Sequence, residues 1–352
     1  MPQNVRSLIL TMGILMVGSV VAGKRFESLF SWGTVKDDAR ARAYAEIGVT
    51  DVFARGPEGF AAAKKYGMRA YCSFFPCGRN QQVVTPKEQK YLDYINVVDL
   101  WKQNAPSDER SKARVRRLAE SKCQFGGEPV TSLDTCPEPL PCFLSDTNGV
   151  KSVASLDKVL KDNPEADGVV FDYIGYTNLH SCECDGCKTR LKTWLEENGL
   201  EETETNRNRF FREGLVTYIN ALVDHVKRVR PEAKVSLHLY PAFLPDPLYG
   251  KDLKADFIQE TVAWYFPWPE TKIADYTRKI LESRHLPGSV SMPFVGLEAN
   301  PESVLPLKTP ERLEAEMKLI LANGGTSLAV CNGDDMLKPG YDELFRKYTK
   351  GK

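Results

Sequence analysis

The chain of 352 residues carries 47 Lys plus Arg against 47 Asp plus Glu, so its formal net charge is zero. With no basic excess, nothing points to nucleic-acid binding or to electrostatic attachment to a membrane surface. Apolar content of 42% and charged content of 27% are those of a globular protein, and the length suits one large domain or two small ones.

The first segment reads as a targeting signal. Arg6 precedes the apolar stretches Leu8-Ile9-Leu10 and Ile14-Leu15-Met16-Val17, and small residues follow at Ala22-Gly23. A basic start, an apolar centre and a small-residue cut predict a cleaved signal peptide over 1–23 and a secreted or periplasmic chain of 24–352. The alternative is an uncleaved anchor, but Thr11, Gly13, Gly18 and Ser19 break the stretch. No later segment is apolar enough to span a bilayer, so no stable membrane insertion is expected after cleavage. Export would permit disulfides among the nine cysteines, and an odd total leaves at least one thiol outside any pair.

A repeating order of short apolar run, loop and amphipathic helix follows. Run one is Ser28 to Gly33, with a helix from Asp38 to Ile47; run two is Val52 to Arg55, with a helix from Pro57 to Tyr66. Pro in the first turn and Gly after the last are ordinary helix punctuation. Run three is Met68 to Phe75. The order then breaks over 77–150, a polar stretch rich in Pro, Gly and Cys, with helical patterns from Pro86 to Gln103 and Asp108 to Ser121; it predicts a cap-like insertion. A helix from Ser152 to Leu160 restores the order. Run four, Gly168 to Phe171, stops on Asp172-Tyr173 and is followed by helices Lys188 to Glu197 and Glu204 to Val229. Run five is Val235 to Tyr240 and run six Ile258 to Phe266, followed by a helix from Lys272 to Ser283. Run seven is Ser289 to Glu298, with a helix from Pro310 to Asn323. Run eight is Ser327 to Cys331, with a last helix from Tyr341 to Tyr348. Eight runs and eight helices outside the insertion predict an α/β fold, a (β/α)8 TIM barrel with a long insertion after strand 3. An open doubly wound sheet is the alternative, but no glycine-rich phosphate loop follows run one.

Active sites of such barrels lie at the C-terminal ends of the strands. Those ends carry Trp32, Arg55, Phe74, Phe75, Asp172, Tyr173, His238, Tyr240, Trp264, Tyr265, Glu298, Asn332, Asp334 and Asp335. Amphipathic aromatics beside carboxylates match the apolar C–H faces and hydroxyls of sugars. Glycosidic cleavage needs two carboxyl groups about the scissile bond. Asp172 and Glu298, each directly after an apolar run, are the expected pair, with Trp32, Arg55, Tyr173, His238, Tyr240, Trp264, Tyr265 and Asp334 as substrate contacts. Each acid has a structural alternative: Asp172 as partner of a basic side chain, Glu298 as a loop residue, Asp334 and Asp335 as caps of a turn.

Ten residues past Asp172 comes Cys182-x-Cys184-x2-Cys187, then a helical pattern. Three thiolates so spaced can fold around one structural Zn2+, with a fourth ligand from the insertion, where Cys136-Pro137 and Pro141-Cys142 lie; disulfides are the competing reading. Either arrangement would pin the loop after strand 3 to the loop after strand 4. No organic cofactor is expected.

Cys182, Glu183, Cys184 and Cys187, followed by Trp194-Leu195, resemble the Cys-Tyr-Cys-x-x-Cys stretch and helix after strand 4 of the glycoside hydrolase family 42 β-galactosidases. Cys136-Pro137 fits that family's upstream Cys-Pro loop. The resemblance implies zinc on Cys136, Cys182, Cys184 and Cys187, and a nucleophile after strand 7 at Glu298. Where the family has Asn-Glu at the end of strand 4, this chain has Phe171-Asp172, and Glu183 replaces the Tyr. The resemblance therefore implies a glycoside-hydrolase-like barrel acting on an oligo- or polysaccharide rather than a β-galactosidase. An Asp-Tyr at strand 4 also resembles the nucleophile position of barrel α-glycosidases, which would exchange the roles of the two acids. The rival from a different class is a catalytically silent barrel that binds glycan.

Overall fold

Eight parallel strands pair in sequence order and close on themselves in the computed structural model. They are β1 (Ser28–Val35), β2 (Asp51–Ala54), β3 (Arg69–Phe74), β4 (Gly168–Ile174), β5 (Lys234–Leu239), β6 (Phe257–Ala263), β7 (Val290–Gly296) and β8 (Ser327–Cys331). The closing pair sets Ser28 of β1 opposite Ser327 of β8, and Phe30 opposite Ala329. The structure describes residues 24–76, 144, 146–174, 184–239, 250–263, 268–282, 288–297 and 307–349, with backbone alone at 146–148, 173 and 251. Among these, the helices are α1 (Asp38–Glu46), α2 (Gly56–Lys65), α3 (Asp146–Asp162), α4 (Asp185–Asn198), α5 (Glu204–Val229), α6 (Glu270–Glu282), α7 (Pro310–Ala322) and α8 (Tyr341–Tyr348). The fold is the expected (β/α)8 barrel.

Residues 75–145 join β3 to α3, where the sequence predicts the insertion; its two expected helices, Pro86 to Gln103 and Asp108 to Ser121, lie outside the described residues. Two helix starts differ most. The helix expected from Lys188 begins at Asp185. The helix expected from Ser152 begins at Asp146 and runs through Gly149, a weak helix former, with Leu156 and Leu160 of its later turns buried on the core.

Local signals explain the helix ends. Asp37 accepts a hydrogen bond from the Arg40 amide at 2.8 Å, and Thr203 and Thr309 cap α5 and α7 in the same way. Gly199 ends α4 in the left-handed region at φ 62°, where a side chain would be strained. Gly168 has a different reason: a Cβ there would lie 2.1 Å from the Lys234 carbonyl oxygen of the adjacent strand.

Strand alternation divides the buried side chains into two sets. Phe30, Tyr71, Val170, Phe257, Met292 and Phe294 pack in the lumen, while a larger shell, including Val169, Phe171 and Leu237, packs between strands and helices. At the N-terminal end of the lumen the carboxylate of Asp51 is fully buried. It accepts from Arg69 Nε at 2.6 Å and a terminal guanidinium nitrogen at 2.7 Å, from the Tyr71 hydroxyl at 2.9 Å and from Thr50 at 2.7 Å. The Asp51 hydrogen bond holds Arg69 firmly charged, and burial, aided by Asp51, keeps the Tyr71 hydroxyl protonated. Outside the barrel, the segment before β1 is tied to the end of α8, where the Phe26 amide donates to the Tyr348 carbonyl at 2.7 Å.

Asp51→Ala strips the acceptor from a buried network and is expected to cost ~3 kcal/mol in denaturant unfolding; a loss below ~1 kcal/mol would show that the lumen floor does not depend on it. A second expectation concerns acid. The Lys347 ammonium, then the Tyr348 hydroxyl, hold Glu314 down to about 2 against an ordinary 4.5. A lowered carboxylate contributes fully above its ordinary value and loses that contribution as pH falls from about 4.5 toward about 2. Glu314→Gln is expected to flatten that part of the stability–pH curve, read as melting temperature against pH.

Candidate active site

The inward positions of the strands change character along the barrel. On β4, Val170 is lumenal and apolar, and Asp172, two residues on, is the next position facing the same way. On β5 the inward pair is Ser236 and His238; on β6 it is Phe257 and Gln259; on β1 it is Phe30 and Trp32; on β7 it is Met292 and Phe294. Above the Asp51 network at the floor, the middle is thus largely apolar, and the C-terminal mouth is polar and aromatic.

Asp172 Oδ1 and His238 Nδ1 are 2.8 Å apart, with the two residues 7% and 2% exposed. This is a buried hydrogen bond between neighbouring strands. The imidazole stacks on Phe294 at 4.1 Å between ring centroids and 27° between planes, and the Trp32 ring meets it edge-on at 4.8 Å. Trp32 also packs against Phe53 and Phe294, each at 5.2 Å. Its indole nitrogen donates to Gln259 Oε1 at 2.6 Å, and Gln259 Nε2 donates to Ser236 Oγ at 2.8 Å. A carboxyl group, an imidazole and a half-buried indole are therefore held rigidly at the mouth, the arrangement a preorganised site needs.

Three of the expected residues, Trp32, Asp172 and His238, are brought together. Arg55 is exposed at the N-cap of α2, where its amide donates to the Val35 carbonyl; no contact joins it to the Asp172–His238 pair among the described residues. Asp334 accepts from the Tyr44 hydroxyl at 2.8 Å and pairs with Arg40 at 3.1 Å, tying the turn after β8 to α1. The backbone of Tyr173 lies in β4. Glu298, Tyr240, Trp264 and Tyr265 lie outside the described residues, Glu298 one position beyond Leu297. Sequence reasoning missed Ser236, Gln259, Phe53 and Phe294. Ser236 and Gln259 had a usable signal: each is polar inside an apolar run and in step with a strand-end residue. Glu260, buried beside Gln259, belongs to the outer face, against Gly250.

Of the four expected metal ligands, Cys184 stands at the N-cap of α4 and Cys187 lies in its first turn, buried in the outer shell. Cys136 and Cys182 lie outside the described residues. Among the described residues no group of three or more His, Cys, Asp or Glu side chains converges on a point that could hold a metal ion, and no helix is long and apolar enough to cross a membrane.

No protein-family model matches the chain, and no curated protein matches its sequence. Solved structures match its fold. The glycoside hydrolase domain of PgaB (BpsB) from Bordetella bronchiseptica superposes over 93% of this chain and 99% of that domain, with a TM-score of 0.52 and 12% sequence identity. This chain shares the (β/α)8 barrel fold of that domain. The β-galactosidase of the Antarctic haloarchaeon Halorubrum lacusprofundi gives a TM-score of 0.49 at 12% identity, over 89% of this chain and 57% of its own. A glycoside hydrolase family 42 β-galactosidase from G. stearothermophilus gives 0.49 at 12% identity, over 88% of this chain and 52% of its own. This chain therefore spans little more than half the length of those two enzymes. In this barrel, Phe294 is the side chain on which both His238 and Trp32 rest. Phe294→Ala is expected to cost ~3–4 kcal/mol in denaturant unfolding, and Phe294→Leu distinctly less; equal costs would show that the ring does not carry the packing.

Proposed function

We propose that this chain is a secreted glycoside hydrolase cleaving glycosidic bonds in an oligo- or polysaccharide at the barrel mouth. The observation that carries the reading is the buried Asp172–His238 hydrogen bond at the ends of β4 and β5, beside a half-buried Trp32. A carboxyl group delivered by the end of strand 4 stands where barrel enzymes do chemistry. His238 fixes its direction, as donor to a carboxylate or as acceptor from a carboxylic acid, since either tautomer satisfies the bond. Trp32 supplies the apolar surface a sugar ring needs.

Asp172 takes one of the two carboxyl roles and Glu298 the other. In one assignment Asp172 is the acid/base: it protonates the leaving oxygen while the carboxylate of Glu298 attacks or activates water. In the other, Asp172 is the nucleophile and Glu298 carries the proton. Arg55, Tyr173, Tyr240, Trp264, Tyr265 and Asp334 are proposed substrate contacts around them. The segment 1–23 is proposed as the export signal. Cys136, Cys182, Cys184 and Cys187 are proposed to hold one structural Zn2+, whose chemistry there is to clamp loops through four thiolates with no open position for substrate.

The test is release of reducing sugar from malto-, cello-, galacto- and chito-oligosaccharides by wild type, Asp172→Asn and Glu298→Gln. Loss of either group is expected to lower the rate by ~10³-fold or more on natural linkages. Aryl glycosides with an activated leaving group separate the roles, because the variant lacking the acid keeps rate on them and the variant lacking the nucleophile does not. Full rate in both variants would overturn the assignment, and binding without turnover by wild type would mark a glycan-binding barrel.

A further inference from the structure

The bond from Trp32 to Gln259 crosses the lumen rather than following the sheet. β1 pairs with β2 and β8, while Gln259 sits on β6, two strands beyond β8 around the barrel. An indole N–H can only donate, so the amide atom facing it at 2.6 Å is the oxygen. The amide nitrogen is then the atom facing Ser236 Oγ at 2.8 Å, which accepts from it. The orientation of Gln259 is thus dictated at both ends. Gln259 and Ser236 are both fully buried, so neither end has water to exchange with. Ser236 is two residues before His238 on β5, so the strand that presents His238 to Asp172 also anchors the amide that holds Trp32.

We propose that Gln259, anchored by Ser236, is the positioning residue that sets Trp32 as an apolar sugar platform in register with Asp172. The inference rests on the hydrolase reading and deepens it. Because Gln259 takes up the indole N–H, Trp32 offers the substrate ring surface and no hydrogen-bond donor. The subsite beside Asp172 therefore selects a sugar unit through its C–H face, and its hydroxyls must be read by other groups. Without the amide, the indole keeps its packing on Phe53 and Phe294 but loses the hydrogen bond that sets its rotation.

The test combines two readouts. The 15N-labelled indole spectrum, with the Trp32 resonance identified by its loss in Trp32→Phe, reads the hydrogen bond with no sugar present. Affinity for the four oligosaccharides named above, by calorimetry in an Asp172→Asn background, reads the platform without turnover. Gln259→Met is expected to move the Trp32 indole proton upfield and weaken binding about tenfold, whereas Gln259→Glu, which keeps an acceptor toward the indole while Ser236 turns to donate, restores both. Should Gln259→Met fail to fold, Ser236→Ala removes only the outer anchor and is expected to shift both readouts in the same direction by less. An unmoved indole resonance, or a moved one with unchanged affinity, overturns the inference alone. A chain that binds none of the four sugars overturns the platform together with the hydrolase reading.

Discussion

A sheet closed on itself has no edge, and half of its side chains must fill the space it encloses. Every other feature of this molecule answers to that constraint. The lumen cannot be hydrated along its length, so each polar group within it needs a partner from another strand. At the floor, Asp51 gathers Arg69, Tyr71 and Thr50. Phe30, Val170, Phe257 and Met292 fill the middle. At the mouth, Asp172 meets His238, and Trp32 meets Gln259.

The two polar layers have different duties. Burial at the N-terminal end of a barrel serves stability, and the Asp51 network includes an Arg that reaches solvent on its far side. At the C-terminal end, carboxyl, imidazole and indole are held by contacts among themselves and with Phe294, Gln259 and Ser236, so the geometry does not depend on a substrate to assemble it. Away from the lumen, Glu316, fully buried in α7, binds both Lys308 and Arg312, and Lys308 in turn donates its amide to the Leu297 carbonyl at the end of β7. That brace fixes where the chain returns to the barrel after Glu298.

The comparison with solved structures adds breadth to this picture. Agreement over nearly the whole of the Bordetella domain at 12% identity means that the architecture persists where almost every side chain has changed. A shared fold does not carry function, which is argued from the mouth residues themselves.

Local pattern was enough for the barrel. Apolar runs of strand length, helices marked by Asp37, Thr203 and Thr309 at their starts and Gly199 at an end, and their count are properties of neighbouring residues, and all eight strands lie where the runs place them. The strand ends were legible for the same reason, which put Trp32, Asp172 and His238 in the candidate site. The start of α3 was missed because its first turn contains Gly149, a weak helix former. What the sequence could not determine was which strand-end residues touch. Asp172 and His238 are 66 positions apart, and Trp32 and Gln259 are 227 apart. Their pairing depends on barrel closure and strand register, which no local signal encodes. So Asp334 pairs with Tyr44, 290 positions away, and Gln259, a polar residue hidden in an apolar run, reaches across the lumen to Trp32.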